Sequence, residues 1–302
     1  NSINGDNIRQ TPSASLQNTL VGKLPGFTSQ LRSGRPGDDA AQFFVRGLST
    51  FNGSGQPLIL VDDIEYNYSQ FSRIDANEVE SITILKDAST TAIYGIRGAN
   101  GVILVTTRRG KSGKPRVNVS NQFAITSPTK VLEYLDAYNT ALLRNEAAQN
   151  DFGGPILTRP DSLSYRLFSQ ADLDHFKNGT DPYGHPNIDW YNTVFKKASL
   201  MNTTTLDVSG GSERLKYFIS GGYLWQNGLL RSFPTKDDFN NNYYYKRYNF
   251  RSNLDITATD RLRFAVNLAG SFGETNRPII NTPNVANDPF YEVSGFLYLP
   301  PF

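Results

Sequence analysis

The sequence predicts two parts. Residues 1–115 read as a compact mixed α/β domain, and residues 116–302 as antiparallel strands of a transmembrane β-barrel with a long, partly helical insertion at about 127–198. Two observations carry this. Up to Pro115 the chain is rich in Gly and Pro, with short apolar runs bounded by turn residues. From Arg116 onward apolar and polar residues alternate with period two in segments of about ten residues, separated by short turns and long loops.

Composition sets limits. The chain of 302 residues carries 30 Lys+Arg against 28 Asp+Glu, so net charge argues for neither nucleic acid nor an anionic surface. With no Cys there is neither a disulfide framework nor a thiolate metal site. No apolar run approaches about 18 residues, which excludes a transmembrane helix but not a barrel. The opening "NSINGDNIRQ" lacks the pattern of a signal peptide, and that does not decide the compartment.

Within the first part, Ser13 is expected to cap a short helix over Ala14 to Val21 that Gly22 stops. "FFVRG", "PLILVDD", "NEVESITIL" and "GVILVTT" read as short strands. Asp87 is expected to cap a helical turn from Ala88 to Tyr94, with Gly95 as its left-handed stop. "RRGKSGKP" (Arg108–Pro115) reads as basic, flexible punctuation and marks the boundary.

In the second part "RVNVSNQFAIT" sets Val117, Val119, Phe123 and Ile125 against Asn118, Ser120 and Gln122. The insertion includes "VLEYLDAYNTALLRNEAAQN", where Leu132, Leu135, Tyr138, Leu142 and Leu143 fall near helical spacing. Alternation then returns. Tyr217, Ile219, Tyr223, Trp225, Phe250, Leu254, Phe264, Val266 and Leu268 are expected to face lipid; Asp207, Arg251, Asn253, Asp255, Arg263 and Asn267 are expected to face a wet interior. Periodicity alone fits a soluble sheet with one solvated face equally well. Strand length, aromatic ends such as Tyr243–Tyr245, and the short and long loops favour the barrel.

The segment "LKDASTTAIYGIRGANGVILVTTRRGK" places Gly95, Gly98 and Gly101 between two strand-like runs. A phosphate loop needs Gly-x-x-x-x-Gly-Lys-Ser/Thr before a helix; here the glycines follow the helical turn and no Lys-Ser/Thr completes the pattern. Gly95 instead suits a positive-φ stop, and Gly98 and Gly101 suit close backbone packing. No nucleophile triad or paired-carboxylate frame stands out, so no enzyme and no cofactor are expected. Asp172, Asp174, His175 and His185 lack metal-ligand spacing. "DWY" (Asp189–Tyr191) reads as a packing element rather than a sugar contact.

"LVGKLPGF", "RSGRPGDDAAQFFVRG", "PLILVDD", "EVESITILKDASTTAIYGIRGANGVILVTTRRGK", "NIDWYNTVF" and "VSGGSERLKYFISGGYLWQNGLL" occur in this order. Together they closely resemble the SusC/RagA-type TonB-dependent outer-membrane transporters of Bacteroidota, over essentially the whole chain. The resemblance implies an N-terminal plug domain inside a 22-stranded barrel, of which this chain is an incomplete part. It also implies a bacterial outer-membrane location, a SusD-like surface lipoprotein as partner, and TonB acting through a segment before Asn1. The activity implied is energised import of a bulky oligosaccharide or peptide, gated by plug displacement; the alternative is a scaffold subunit that does not transport. Asp63 stands where the family usually has Gly. Arg46 and Arg97, each beside Gly in the plug-like blocks, are expected to seat the plug by pairing with acidic wall residues beyond Phe302.

Overall fold

The computed structural model describes the chain except residues 32, 46–54, 132, 153–167, 233–241 and 278–299. It separates into two units: one of Asn1–Thr126, Ser199–Gly228 and Tyr243–Asn276, the other of Ser127–Ala198, Leu229–Asn242 and Arg277–Phe302.

In the first unit β1 (Ser2–Asn4) leads into α1 (Gly5–Arg9), capped by Asn4, whose side chain accepts from the amide of Asp6. β2 (Phe27–Gln30) and β3 (Gln42–Val45) pair as an antiparallel ribbon. β4 (Leu58–Val61), β5 (Ile64–Tyr66), β6 (Val79–Leu85) and β7 (Val102–Thr107) join β1 in a sheet of order β1-β6-β7-β4-β5, with β4 and β7 parallel. The apolar runs become the inner strands because Ile59, Val61, Ile82, Ile84, Ile103 and Val105 are all buried in one core. Phe43 anchors that core, stacked on Phe27 and Tyr68 and edge-on to Phe71. Burying a Phe fully contributes about 1.5–3 kcal/mol.

The local elements differ in detail from the sequence expectation. The predicted helix from Ala14 is a 3₁₀ turn over Leu16–Leu20, with no side-chain cap from Ser15. Asn18 decides this by donating to the Asp39 carbonyl at 2.6 Å and accepting from the Ala41 amide at 3.0 Å, which ties the turn to the next segment. α2 spans Tyr68–Ser72 behind a capping box of Asn67 and Gln70. After Asp87 the chain forms α3 (Ala88–Thr91) and a 3₁₀ stretch over Ala92–Gly98, broken at Gly95 with φ 58°. The hairpin between β4 and β5 turns on Asp62 and Asp63, with φ 46° and 69°, so Asp63 keeps the positive φ that a Gly would take.

The second sheet is a meander of β8 (Gly113–Thr126), β9 (Ser199–Gly211), β10 (Leu215–Asn227), β11 (Tyr244–Thr259) and β12 (Leu262–Asn276) in chain order. β8 takes in Pro115, which sits at a register shift between Gly113 and Arg116 where its missing N–H breaks no ladder bond. The register puts Val119, Leu206 and Gly221 side by side, and likewise Tyr217, Leu254 and Val266. One continuous apolar outer face results, with Phe123 77% exposed. The opposite face carries Asp207, Arg251 and Asn253, as expected, but they are buried rather than wet. Phe218 and Leu224 on that same face are also fully buried.

The second unit holds α4 (Ala137–Phe152), α5 (Gln170–Asn178) and α6 (Trp190–Val194). α4 begins later than the apolar spacing suggests because Asp136 caps it, accepting from the Asn139 amide at 2.8 Å. Leu135 therefore precedes the helix, and Leu132 lies outside the described residues. Ala137, Ala141, Leu173 and Phe176 form its core with Phe168 and Phe302. No described helix is long and apolar enough to cross a membrane.

Candidate functional site

The site is the seam within the first unit, where the N-terminal domain lies against the inner face of the wall strands. Period-two pleating aims Arg247, Asn249, Arg251, Asn253 and Asp255 of β11 to one side. Each meets the domain. Arg247 donates to the Ala14 carbonyl at 2.6 Å, and Asn249 to the Arg73 carbonyl at 2.6 Å. Arg251 donates to Glu78 at 2.7 Å, with the two side chains only 4% and 3% exposed. Asn253 donates to the Thr107 hydroxyl and the Arg108 carbonyl, each at 2.8 Å. Asp255 accepts from Arg109 at 2.7 Å.

β8, β9 and β10 add further contacts. Arg108 lies 3.2 Å from Asp207, and its guanidinium sits 4.9 Å from the centre of the Phe218 ring. Asn118 donates to the other Asp207 oxygen at 2.9 Å. Thr205 donates to Asp75 at 3.2 Å, while Asn77 donates to both Asp75 and Thr205. Asp62 accepts from the amide and hydroxyl of Thr107, so the strained hairpin is tied through Thr107 to Asn253. Burial pushes the Glu78 carboxyl up, against the attraction of Arg251. A charge-assisted hydrogen bond contributes about 1.5–3 kcal/mol, and such bonds can exchange for water when the surfaces part. The seam is therefore held without a covalent link, by these polar bonds and a small apolar cluster of Ala14 with Met201, Leu224 and Tyr245.

Arg97 pairs with Glu65 of its own domain, and both are well exposed. Arg46 lies outside the described residues. A Cβ on Gly98 would meet the Thr91 carbonyl oxygen at 2.8 Å, and one on Gly101 would meet the Val45 side chain at 2.8 Å, so both glycines serve packing inside the domain. Arg108 and Arg109, read from the sequence as punctuation, are the domain's charged contacts to the wall. The signal was present: two arginines directly before the first wall strand, and two acids on the inward face. In the second unit Trp190 donates to the Pro300 carbonyl at 2.8 Å and Tyr191 stacks on Phe195, a packing arrangement. Among the described residues no group of three or more His, Asp or Glu is arranged to hold a metal.

The family described as TonB-dependent Receptor Plug Domain matches residues 1–102. The wall strands follow directly on that match. Residues 1–102 match the plug of TonB-dependent receptors, and nearly the whole chain is similar to receptors of the SusC/RagA type. A TonB-dependent receptor of Formosa agariphila is 28% identical over 302 residues, covering 97% of this chain and 27% of that protein. The TonB-dependent receptor SusC of Bacteroides thetaiotaomicron is 29% identical over 315 residues, covering 99% of this chain and 26% of that receptor. The chain thus spans about a quarter of the length of these relatives. The structure of the RagAB peptide importer in its closed-closed state overlays with a TM-score of 0.72 at 23% identity, covering 100% of this chain and 33% of that one. The N-terminal domain is the plug, the meander is part of the barrel, and the location is the outer membrane.

Proposed function

We propose that the whole receptor imports a bulky nutrient, an oligosaccharide or a peptide, across the outer membrane, driven through TonB and gated by displacement of the plug. The carrying observation is the seam. Four arginines, Arg108, Arg109, Arg247 and Arg251, cross it by hydrogen bonds and ion pairs, which suits a part that must seat tightly and still leave. A SusD-like surface lipoprotein is the proposed partner at the mouth, supported by the likeness to SusC and to the RagAB importer. Arg46 and Arg97 stay in the proposal as seating residues toward wall carboxylates outside the described strands.

The test uses the full-length receptor. Cells lacking it should lose energised growth on an oligosaccharide or peptide mixture that supports the parent, and wild-type receptor should restore it. In liposomes, Arg108→Ala combined with Arg109→Ala should raise passive entry of small solutes while the barrel keeps its heat-modifiable migration. Restored growth by a receptor whose plug is covalently locked to the wall would overturn gating by displacement.

A further inference from the structure

β12 differs from the other wall strands on its inner face. Asn249, Arg251 and Asn253 of β11 are buried under the plug. Their direct partners across the ladder are Ser271, Ala269 and Asn267 of β12. Ala269 and Ser271 are exposed, although neighbouring strands lie only about 4.8 Å apart. At these positions plug contact therefore ends between two adjacent strands, although farther along β12 the plug comes close again, where a Cβ on Gly37 would lie 3.2 Å from Thr275 Oγ1. The small side chains leave a step, and a cavity of about 320 Å³ fills it, lined by Arg73 and Glu78 of the plug and by Arg251, Ala269 and Ser271 of the wall. Among the described residues, the hydrogen bonds and ion pairs that hold the plug end on β8 to β11.

A second observation points to what fills the cavity. Glu78 is 2% exposed and gives one carboxylate oxygen to Arg251, yet its Oε1 has no hydrogen-bond partner among the described residues. Asn267 Oδ1, on the same inner face of β12, has none either. A buried carboxylate oxygen without a donor is costly unless water reaches it. At about 30 Å³ per molecule the cavity has room for roughly ten waters beside the Glu78 side chain that lines it.

We infer that this slot between β12 and the Arg73–Glu78 segment is the side on which the plug parts from the barrel, a hydrated seam that widens into the import path while β8 to β11 remain the plug's backstop. Widening a hydrated seam exchanges one set of water contacts for another. Parting along β11 or β9 would instead strip Glu78 from Arg251 and Arg108 from Asp207. The inference rests on the reading of import by plug displacement.

The experiment uses single-cysteine versions of the full-length receptor in cells, probed with fluorescein maleimide, with and without a protonophore. Ala269→Cys and Ser271→Cys should label at rest, and several-fold faster when the cells are energised. Ser220→Cys, on the buried inner face of β10, should stay slow in both states. Energised labelling at Ser220→Cys that rises while Ala269→Cys does not would overturn the choice of side and leave displacement standing. No acceleration at any of the three overturns this inference, and the covalently locked plug then decides displacement separately. Ala269→Trp with Ser271→Trp should fill the slot and lower growth on the mixture with surface expression unchanged; undiminished growth overturns the slot as the path.

Discussion

Arg251 and Glu78 show what one residue decides. Arg251→Ala leaves a carboxylate buried at 2% exposure without its cation, and breaking such a pair typically costs about 3–5 kcal/mol. Glu78→Gln keeps an acceptor for the guanidinium and should cost less. Urea titration of plug unfolding, followed by protease access in detergent, should rank the two variants in that order; equal midpoints would show that the pair is not what seats this segment. Alternation alone placed Arg251 on the inward face. Nothing local identified Glu78 as its partner, because the two lie 173 positions apart. Arg97 was no more legible: among the described residues it pairs with Glu65, which the hairpin after Asp63 brings close.

At the scale of elements, strands were the most legible because a pleat allows only two faces. Gly222 on β10 marks where that pattern meets the plug. A Cβ there would come within 2.9 Å of Asp75 Oδ2, and Asp75 is held by Asn77 and Thr205. Gly222→Val should therefore unseat the plug near Asp75 while the barrel assembles, read as raised solute leak with unchanged heat-modifiable migration. α5 carries a different device. Asp172, at its capping box, takes His185 Nε2 at 3.0 Å, and Asp181 takes Nδ1 at 2.8 Å. Both partners are acceptors, so the imidazole is held protonated and its pKa is raised, by Asp172 first and then Asp181. Asp172 is lowered to about 2 by His185 and Ser169. The signs give a window. The His185 contribution is complete below its ordinary pKa and fades as pH rises through the raised one; the Asp172 contribution holds above the ordinary carboxyl range and fades as pH falls toward about 2. Hydrogen exchange over residues 179–187 should accelerate above neutral pH beyond the intrinsic rate, and His185→Gln should abolish that extra acceleration. These residues, weighed from the sequence only as a metal site, had no spacing that announced a staple, because Gly179 turns the chain back with φ 62° to bring them together.

For the whole molecule, the outer face is the testable property. Leu206 shares that face with Val119 and Gly221 in the register, and it is half exposed. Leu206→Arg should cost about 2–4 kcal/mol if it lies near the bilayer midplane, whereas Thr205→Arg, one position along, would collide with Asp75 and Asn77 in the seam instead. The first should lower assembled receptor in outer-membrane fractions, and the second should leave assembly intact but raise leak; the opposite pairing would mean that the faces are reversed. By itself the sequence determined the two-part order, the strands, and which of their residues share a face. It could do so because period-two alternation and turn chemistry are local. Only the tertiary structure decided that Asp207, Arg251 and Asn253 on the inward face are buried against the plug, that Arg108 and Arg109 reach the described wall strands, and that the plug leaves Ala269 and Ser271 of β12 uncovered. The reason is physical: which charge meets which, and where a gap is left, depends on surfaces brought together from positions more than a hundred residues apart, and no spacing along the chain encodes their separation.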